Sequence, residues 1–327
     1  MSALLTVRGL RTEYTSARGV VRAVDGVDLE VAAGETLCLV GESGCGKTAI
    51  ALSIARLLPT NGRIAAGEIQ FEGRDLARLD ERSLRSVRGA RIGFVFQEPL
   101  AALDPVFPIG EQIAEVLRAH TRCDRRAARA RAVQLLERVE IARAAERASA
   151  YPHELSGGER QRALIATAIA AGPALLLADE PTASLDATVR EDVLDLLDRL
   201  RRESRMAVLL VTHDLALAAR RADRIAVMYA GRIVEIGPAT AVIARPRHPY
   251  TAALVASSPA FTVRGTRLVA IPGRVPSAHA WPTGCRFRER CSVAHAECAT
   301  FDPTLVRVSG EHAVACPFGP VSAEREA

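Results

Sequence analysis

Lysine is all but missing from these 327 residues: the chain has 43 basic side chains, and every one except Lys47 is arginine. A composition this averse to lysine keeps it where a compact ammonium is needed and a planar guanidinium fork is not suited. An apolar run able to cross a bilayer is missing too. The longest candidate, residues 163–178, carries Thr167 and is broken by Gly172-Pro173, so it reads as a helix end followed by a strand. The opening MSALLTVRGL has no charged leader followed by a long apolar stretch, so no signal peptide is expected and the chain is read as soluble and cytoplasmic. Basic residues form no separate block. The formal charge is +5, but the arginines are interleaved with acids. That pattern reads as solvated surface, with no nucleic acid among the expected partners. The densest basic segment, residues 122–147, has Val133, Leu135, Leu136 and Val139 among its charges and reads as one or two amphipathic helices.

What is present alternates. Short β-type runs at residues 4–7, 27–31, 36–40, 92–96, 175–178 and 208–211 are separated by helical stretches, which predicts an α/β layer fold with a substantially parallel sheet. Between Phe96 and Leu175 the β signal disappears into Ala/Arg/Leu/Glu-rich sequence, so a helical subdomain is expected inside the α/β core, at about residues 98–172. After Gly237 the pattern loosens and Pro, Gly, His and Cys become frequent. The boundary is set at residue 240, with 1–240 as the main domain. Residues 241–327 are expected to form a small extension, cross-linked because its apolar content is modest.

Lys47 lies in Gly41-Glu-Ser-Gly-Cys-Gly-Lys-Thr48, the G-x-x-x-x-G-K-[ST] phosphate-binding pattern, between a strand at 36–40 and a helix at 47–58. Gly41, Glu42, Ser43, Gly44, Cys45 and Gly46 form a turn whose backbone N–H groups face phosphates. Lys47 reaches the β and γ oxygens, and Thr48 offers a hydroxyl to magnesium. Cys45 matters there for its backbone, although phosphates and a helix N-terminus could activate its thiol; Cys38 reads as a small core residue. Further on, an apolar strand ends in Asp179-Glu180. Adjacent carboxylates at a buried strand end suit a cation: Asp179 is the metal-side ligand and Glu180 the base that polarises water. Ser156-Gly157-Gly158-Glu159 forms a capping box at a helix entrance, and with its glycines this also makes a second anion site, as if a nucleotide were bound between two subunits.

These residues resemble the ATP-binding-cassette (ABC) ATPases. Residues 41–48 match their Walker A motif, 175–180 Walker B and 155–159 the signature. Gln97 resembles the Q-loop glutamine and Ser184-Leu-Asp186 the D-loop, while His213 resembles the switch histidine and Tyr14 the aromatic that stacks on adenine. The resemblance spans about residues 4–240. It implies a P-loop ATPase core that closes head to tail with a second ATPase subunit. ATP would lie between Lys47 of one subunit and residues 156–158 of the other, with Gln97, Thr48 and Asp179 around Mg2+ and with Glu180, His213 and Gln97 as the hydrolytic set.

Beyond the core, Arg247-His-Pro-Tyr-Thr251, Ile271-Pro-Gly-Arg-Val-Pro276 and Gly284-Cys-Arg-Phe-Arg-Glu-Arg-Cys291 are similar to the C-terminal extension of dipeptide and oligopeptide importer ATPases, a group that also includes nickel importers. The resemblance implies two transmembrane permease subunits, a partner ATPase of a different chain and an extracytoplasmic substrate-binding protein, with this chain peripheral on the cytoplasmic face of the inner membrane. Nickel or another small solute is the alternative cargo, and a non-transport ABC ATPase of DNA repair or translation the competing class.

Cys285, Cys291, Cys298 and Cys316 follow as C-x5-C-x6-C-x17-C with Pro317 after the last. The short C-x2-4-C pair usual for zinc is absent. Looser spacing with a terminal Cys-Pro suits a [4Fe–4S] cluster, which some relatives carry; zinc and unligated thiols are the other readings.

Overall fold

In the computed structural model, residues 3–262, 265 and 268–319 are described. The described residues fold as two compact units: 32–35 and 78–210 make one, and 3–31, 36–77 and those from 211 onward the other.

The unit that opens the chain starts with two long strands, β1 (Ala3–Ser16) and β2 (Gly19–Ala32), then β3 (Thr36–Val40) and helix α1 (Lys47–Ala55), then β4 (Gly62–Phe71) and the short β5 (Arg74–Asp75). β1 lies between β2 and β4 in a four-stranded sheet, with Leu5 opposite Phe71 and Val7 opposite Ile69. Leu5, Val7, Leu10, Ile69 and Phe71 are buried while Arg8, Gly9 and Arg11 are exposed; one face of an antiparallel sheet covers the core and the other is wet.

The second unit is mostly helical. It holds α2 (Glu81–Arg85), β6 (Ile92–Val95), α3 (Pro99–Ala102), α4 (Ile109–His120), α5 (Arg125–Arg138), α6 (Ala144–Arg147), α7 (Gly157–Ile169), β7 (Leu175–Asp179), α8 (Ala187–Ser204) and the start of β8 (Ala207–Thr212). α4 buries Ile109, Ile113, Ala114 and Leu117, a stripe at helical spacing. α8 is capped by Asp186, which accepts from the N–H groups of Thr188 and Val189, and ends where Arg205 turns left-handed at φ 52°. β6 and β7 pair in parallel, Ile92 opposite Leu175. All five residues of β7 are buried, as expected of a strand covered on both faces.

The chain then returns to the first unit with α9 (Leu215–Arg221), β9 (Arg224–Tyr229), β10 (Arg232–Pro238), α10 (Ala239–Ala244), α11 (Pro249–Ser257), β11 (Val306–Ser309) and β12 (His312–Val314). β3 pairs in parallel with β9, β9 antiparallel with β10, and β10 antiparallel with β12, which carries β11 at the edge. The residues after 240 therefore extend the sheet that holds β3.

Candidate functional site

β3 delivers the chain to Gly41, and steric crowding explains the glycines that follow. A Cβ on Gly41 would lie 2.2 Å from the Met228 carbonyl oxygen. One on Gly46, at φ 111°, would lie 2.2 Å from the Ala23 oxygen. The loop is thus pressed between β2 and β9 at both ends, and the Gly231 N–H donates to the Cys45 carbonyl at 2.9 Å. α1 starts with Gly46 at its N-cap and no side-chain cap there, so no N-cap side chain stands between its positive end and an anion. Lys47 is 5% exposed, and its ammonium donates to the carbonyls of Gly41 (2.8 Å) and Glu42 (3.1 Å). The ammonium curls over the loop it serves, while Ser43, Gly44 and Thr48 are exposed.

Cys45 is buried, and burial pushes its thiol up against the opposing pull of Lys47. Without nucleotide, desolvation outweighs the neighbouring ammonium at this thiol. Cys38 is fully buried in β3 and likewise raised, first by burial. Tyr14, half-buried on β1, pairs with Gly62, where an added Cβ would sit 2.8 Å from its ring. His213 follows β8 and is exposed, and Asp214 caps α9 by accepting from the Leu217 N–H at 3.0 Å.

Sequence reasoning missed the surroundings of Glu42. Its carboxylate receives two hydrogen bonds from Arg290, at 2.7 and 2.9 Å, and its backbone N–H donates to the Tyr250 hydroxyl at 3.0 Å. The arginine preceding a cysteine was visible, but nothing local in a sequence pairs positions 248 residues apart.

In the other unit β7 ends at Asp179, 4% exposed, and the chain turns through Glu180 at φ 44°. A left-handed glutamate is an uncommon conformation, set here directly after a buried carboxylate. The capping box forms as expected. The Ser156 hydroxyl accepts from the Glu159 N–H (3.3 Å), and the Glu159 carboxylate accepts from the Ser156 N–H (2.9 Å) and hydroxyl (2.8 Å). Burial acts to raise the Glu159 carboxyl, but these bonds and the charges of Arg147 and Arg143 carry it below the usual range. Ser156 and Gly157 are exposed; Gly158 is half-buried, and a Cβ there would stand 2.8 Å from a Val189 methyl. Gln97, just past β6, is exposed.

The four C-terminal cysteines fall in one neighbourhood. The Cys285 N–H donates to the Cys298 carbonyl at 2.8 Å, and burial raises the Cys285 thiol, with the thiolates of Cys298, Cys316 and Cys291 adding to the rise. Among the described residues, however, no three His, Cys, Asp or Glu side chains are arranged to hold a metal ion. The geometry therefore does not support the expected iron–sulfur site, nor zinc.

A family model described as "ABC transporter" matches residues 24–183, and one described as "Oligopeptide/dipeptide transporter, C-terminal region" matches 234–298. The chain is 49% identical over 326 residues to a putative peptide import ATP-binding protein of Brucella melitensis, covering 96% of each. It is 47% identical over 315 residues to a probable peptide ABC transporter ATP-binding protein of Sinorhizobium fredii, covering 96% of this chain and 94% of that one. Among solved structures it is similar to a dimeric ATP-binding cassette in a post-hydrolysis state bound to ADP and Pi, with a TM-score of 0.65 and 29% identity over 72% of this chain and 98% of that one.

Proposed function

The chain belongs to the ABC transporter ATP-binding proteins, and we propose that it hydrolyses ATP to energise the import of di- and oligopeptides through separate membrane subunits. The observation that carries this reading is the phosphate loop: glycines jammed against carbonyls, an uncapped α1 and one buried ammonium, in a chain aligned almost end to end with peptide import ATP-binding proteins. In the reaction, Lys47 leaves the carbonyls of Gly41 and Glu42 for the β and γ oxygens, and the N–H groups at the start of α1 face the same phosphates. On the family resemblance alone, Thr48, Asp179 and Gln97 would hold magnesium through hard oxygen donors. Bound with ATP, magnesium neutralises phosphate charge. Glu180 takes the proton of the attacking water, His213 and Gln97 orient that water and the γ-phosphate, and Tyr14 stacks on the adenine.

Other parts of the reading follow from resemblance. The exposed entrance of α7 is proposed to complete the ATP site of a second, different ATPase chain. Two permeases and an extracytoplasmic binding protein complete the importer, with this subunit peripheral on the cytoplasmic face; among the described residues no helix is long and apolar enough to cross a membrane. Residues 1–240 are proposed as the ATP-binding domain, with its helical part at 98–172, and 241–327 as the importer-type extension. A [4Fe–4S] cluster on Cys285, Cys291, Cys298 and Cys316 is suggested by their sequence spacing alone. It requires the thiols to draw together, since they are not preset for a metal. Iron and sulfide content after anaerobic purification decides it.

The test of the hydrolytic assignment is Glu180→Gln. ATP affinity is expected to stay within about twofold while turnover falls by 100-fold or more, roughly the worth of a general base. Turnover near wild type would remove Glu180 from the role.

A further inference from the structure

Glu42 is held at each of its polar groups. Its carbonyl accepts from Lys47, its N–H donates to Tyr250, and its carboxylate is clasped by the two ends of the Arg290 guanidinium. The last two partners come from beyond residue 240, on α11 and on the turn just before Cys291. Both are built in. Tyr250 is fully buried and the Arg290 side chain is 4% exposed. The Arg290 Nε donates to the Pro272 carbonyl at 2.7 Å, and the guanidinium lies 5.6 Å from the Tyr229 ring and 5.9 Å from the Phe287 ring. Tyr250 packs 4.6 Å from Tyr229 and 5.3 Å from Phe287. With only four tyrosines in the sequence, two meet behind the phosphate loop.

We infer that Arg290 and Tyr250 are positioning residues of the ATP site: they fix Glu42, and with it the peptide on which Lys47 rests, and Arg290 cancels a carboxylate that would otherwise repel the nucleotide. Two physical effects are involved. A carboxylate one residue into a phosphate loop opposes a triphosphate through a medium of reduced dielectric, and a bidentate arginine pair removes that opposition. A peptide held from both sides presents its carbonyl and its neighbours' N–H groups in one arrangement, so less ordering is left for ATP to impose. The extension thereby becomes part of the nucleotide site of its own chain. This rests on residues 41–48 being the ATP phosphate loop.

The test compares the KM for ATP with kcat in the full-length chain, in its transporter complex. Arg290→Gln is expected to raise KM about tenfold with less than twofold change in kcat, since the exposed carboxylate opposes binding and not the chemical step. Adding Glu42→Gln removes the stranded charge and should bring KM back to within about threefold of wild type, a recovery that lost packing alone would not give. Tyr250→Phe keeps the ring and loses the acceptor, with an expected rise in KM of about threefold. It also carries the test if Arg290→Gln does not fold. Unchanged KM in folded Arg290→Gln and Tyr250→Phe, or a double variant no better than Arg290→Gln alone, would overturn the inference. Lys47→Ala separates the two levels: if it keeps wild-type ATP affinity, the loop assignment itself is wrong.

Discussion

Asp25 is a carboxylate the core tolerates because arginines surround it. It accepts from buried Arg286, has Arg11 at 3.4 Å and Arg232 at 3.5 Å, and its N–H donates to the Gly231 carbonyl at 2.9 Å. Burial works to raise its pKa, yet the Arg286 hydrogen bond and the three positive charges bring it below the ordinary carboxylate value. A carboxylate depressed in the folded state contributes stability above its unfolded pKa of about 3.9, and that contribution is lost as pH falls through the lower folded value. Asp25→Asn should therefore cost about 3 kcal/mol at pH 7, because it strands Arg286, and the gap to wild type should narrow as pH falls below about 4. Urea unfolding at several pH values checks both. At this scale the sequence is most legible where a motif is local, as with Lys47 or the Ser156–Glu159 box. It is silent where partners are remote: Arg286 and Arg290 differ from the other arginines only in what the fold sets against them.

At the scale of elements, α11 shows what the sequence signal conceals. Its N-cap is His248, 2% exposed, whose Nδ1 accepts from the Tyr250 N–H at 3.0 Å, so the ring proton is assigned to Nε2. Burial lowers its pKa to about 3. A base depressed on folding destabilises the native state once the unfolded chain binds protons that the folded one refuses. Stability is full above about pH 6.5 and falls as pH drops towards the folded value, by up to about 1.4 kcal/mol per unit. His248→Asn keeps an acceptor and does not titrate, so its loss of stability between pH 7 and pH 5 should be the smaller of the two in chemical denaturation. The turn carrying His248 is held by Glu235, fully buried, whose carboxylate accepts from the N–H groups of Arg247 and His248 and contacts His312 at 2.7 Å. Parallel strands β3, β6 and β7 are legible because both faces are apolar. β4 is not: Gly62–Phe71 buries only Ile69 and Phe71 and reads as polar, because one face of its sheet is wet.

For the whole molecule, the ordered motifs from Tyr14 to His213 and the tail segments together made the family legible from sequence, and near end-to-end similarity, at 49% and 47% identity, to a putative peptide import and a probable peptide ABC transporter ATP-binding protein agrees. The tail itself was less legible. A cysteine-linked appendage was expected, whereas β12 pairs with β10, Trp281 donates to the Arg22 carbonyl at 3.0 Å, and Arg286 and Arg290 reach β2 and the phosphate loop. Poor periodicity after residue 256 hid these anchors because single long side chains, rather than repeating apolar stripes, make them. The most direct measurement is ATP hydrolysis by this subunit, reconstituted in membranes with its permeases, partner ATPase and binding protein, with and without peptide. Hydrolysis that rises with di- or oligopeptides and disappears in Glu180→Gln is the predicted result. Hydrolysis indifferent to peptide, or stimulated by chelated nickel alone, would contradict a peptide importer.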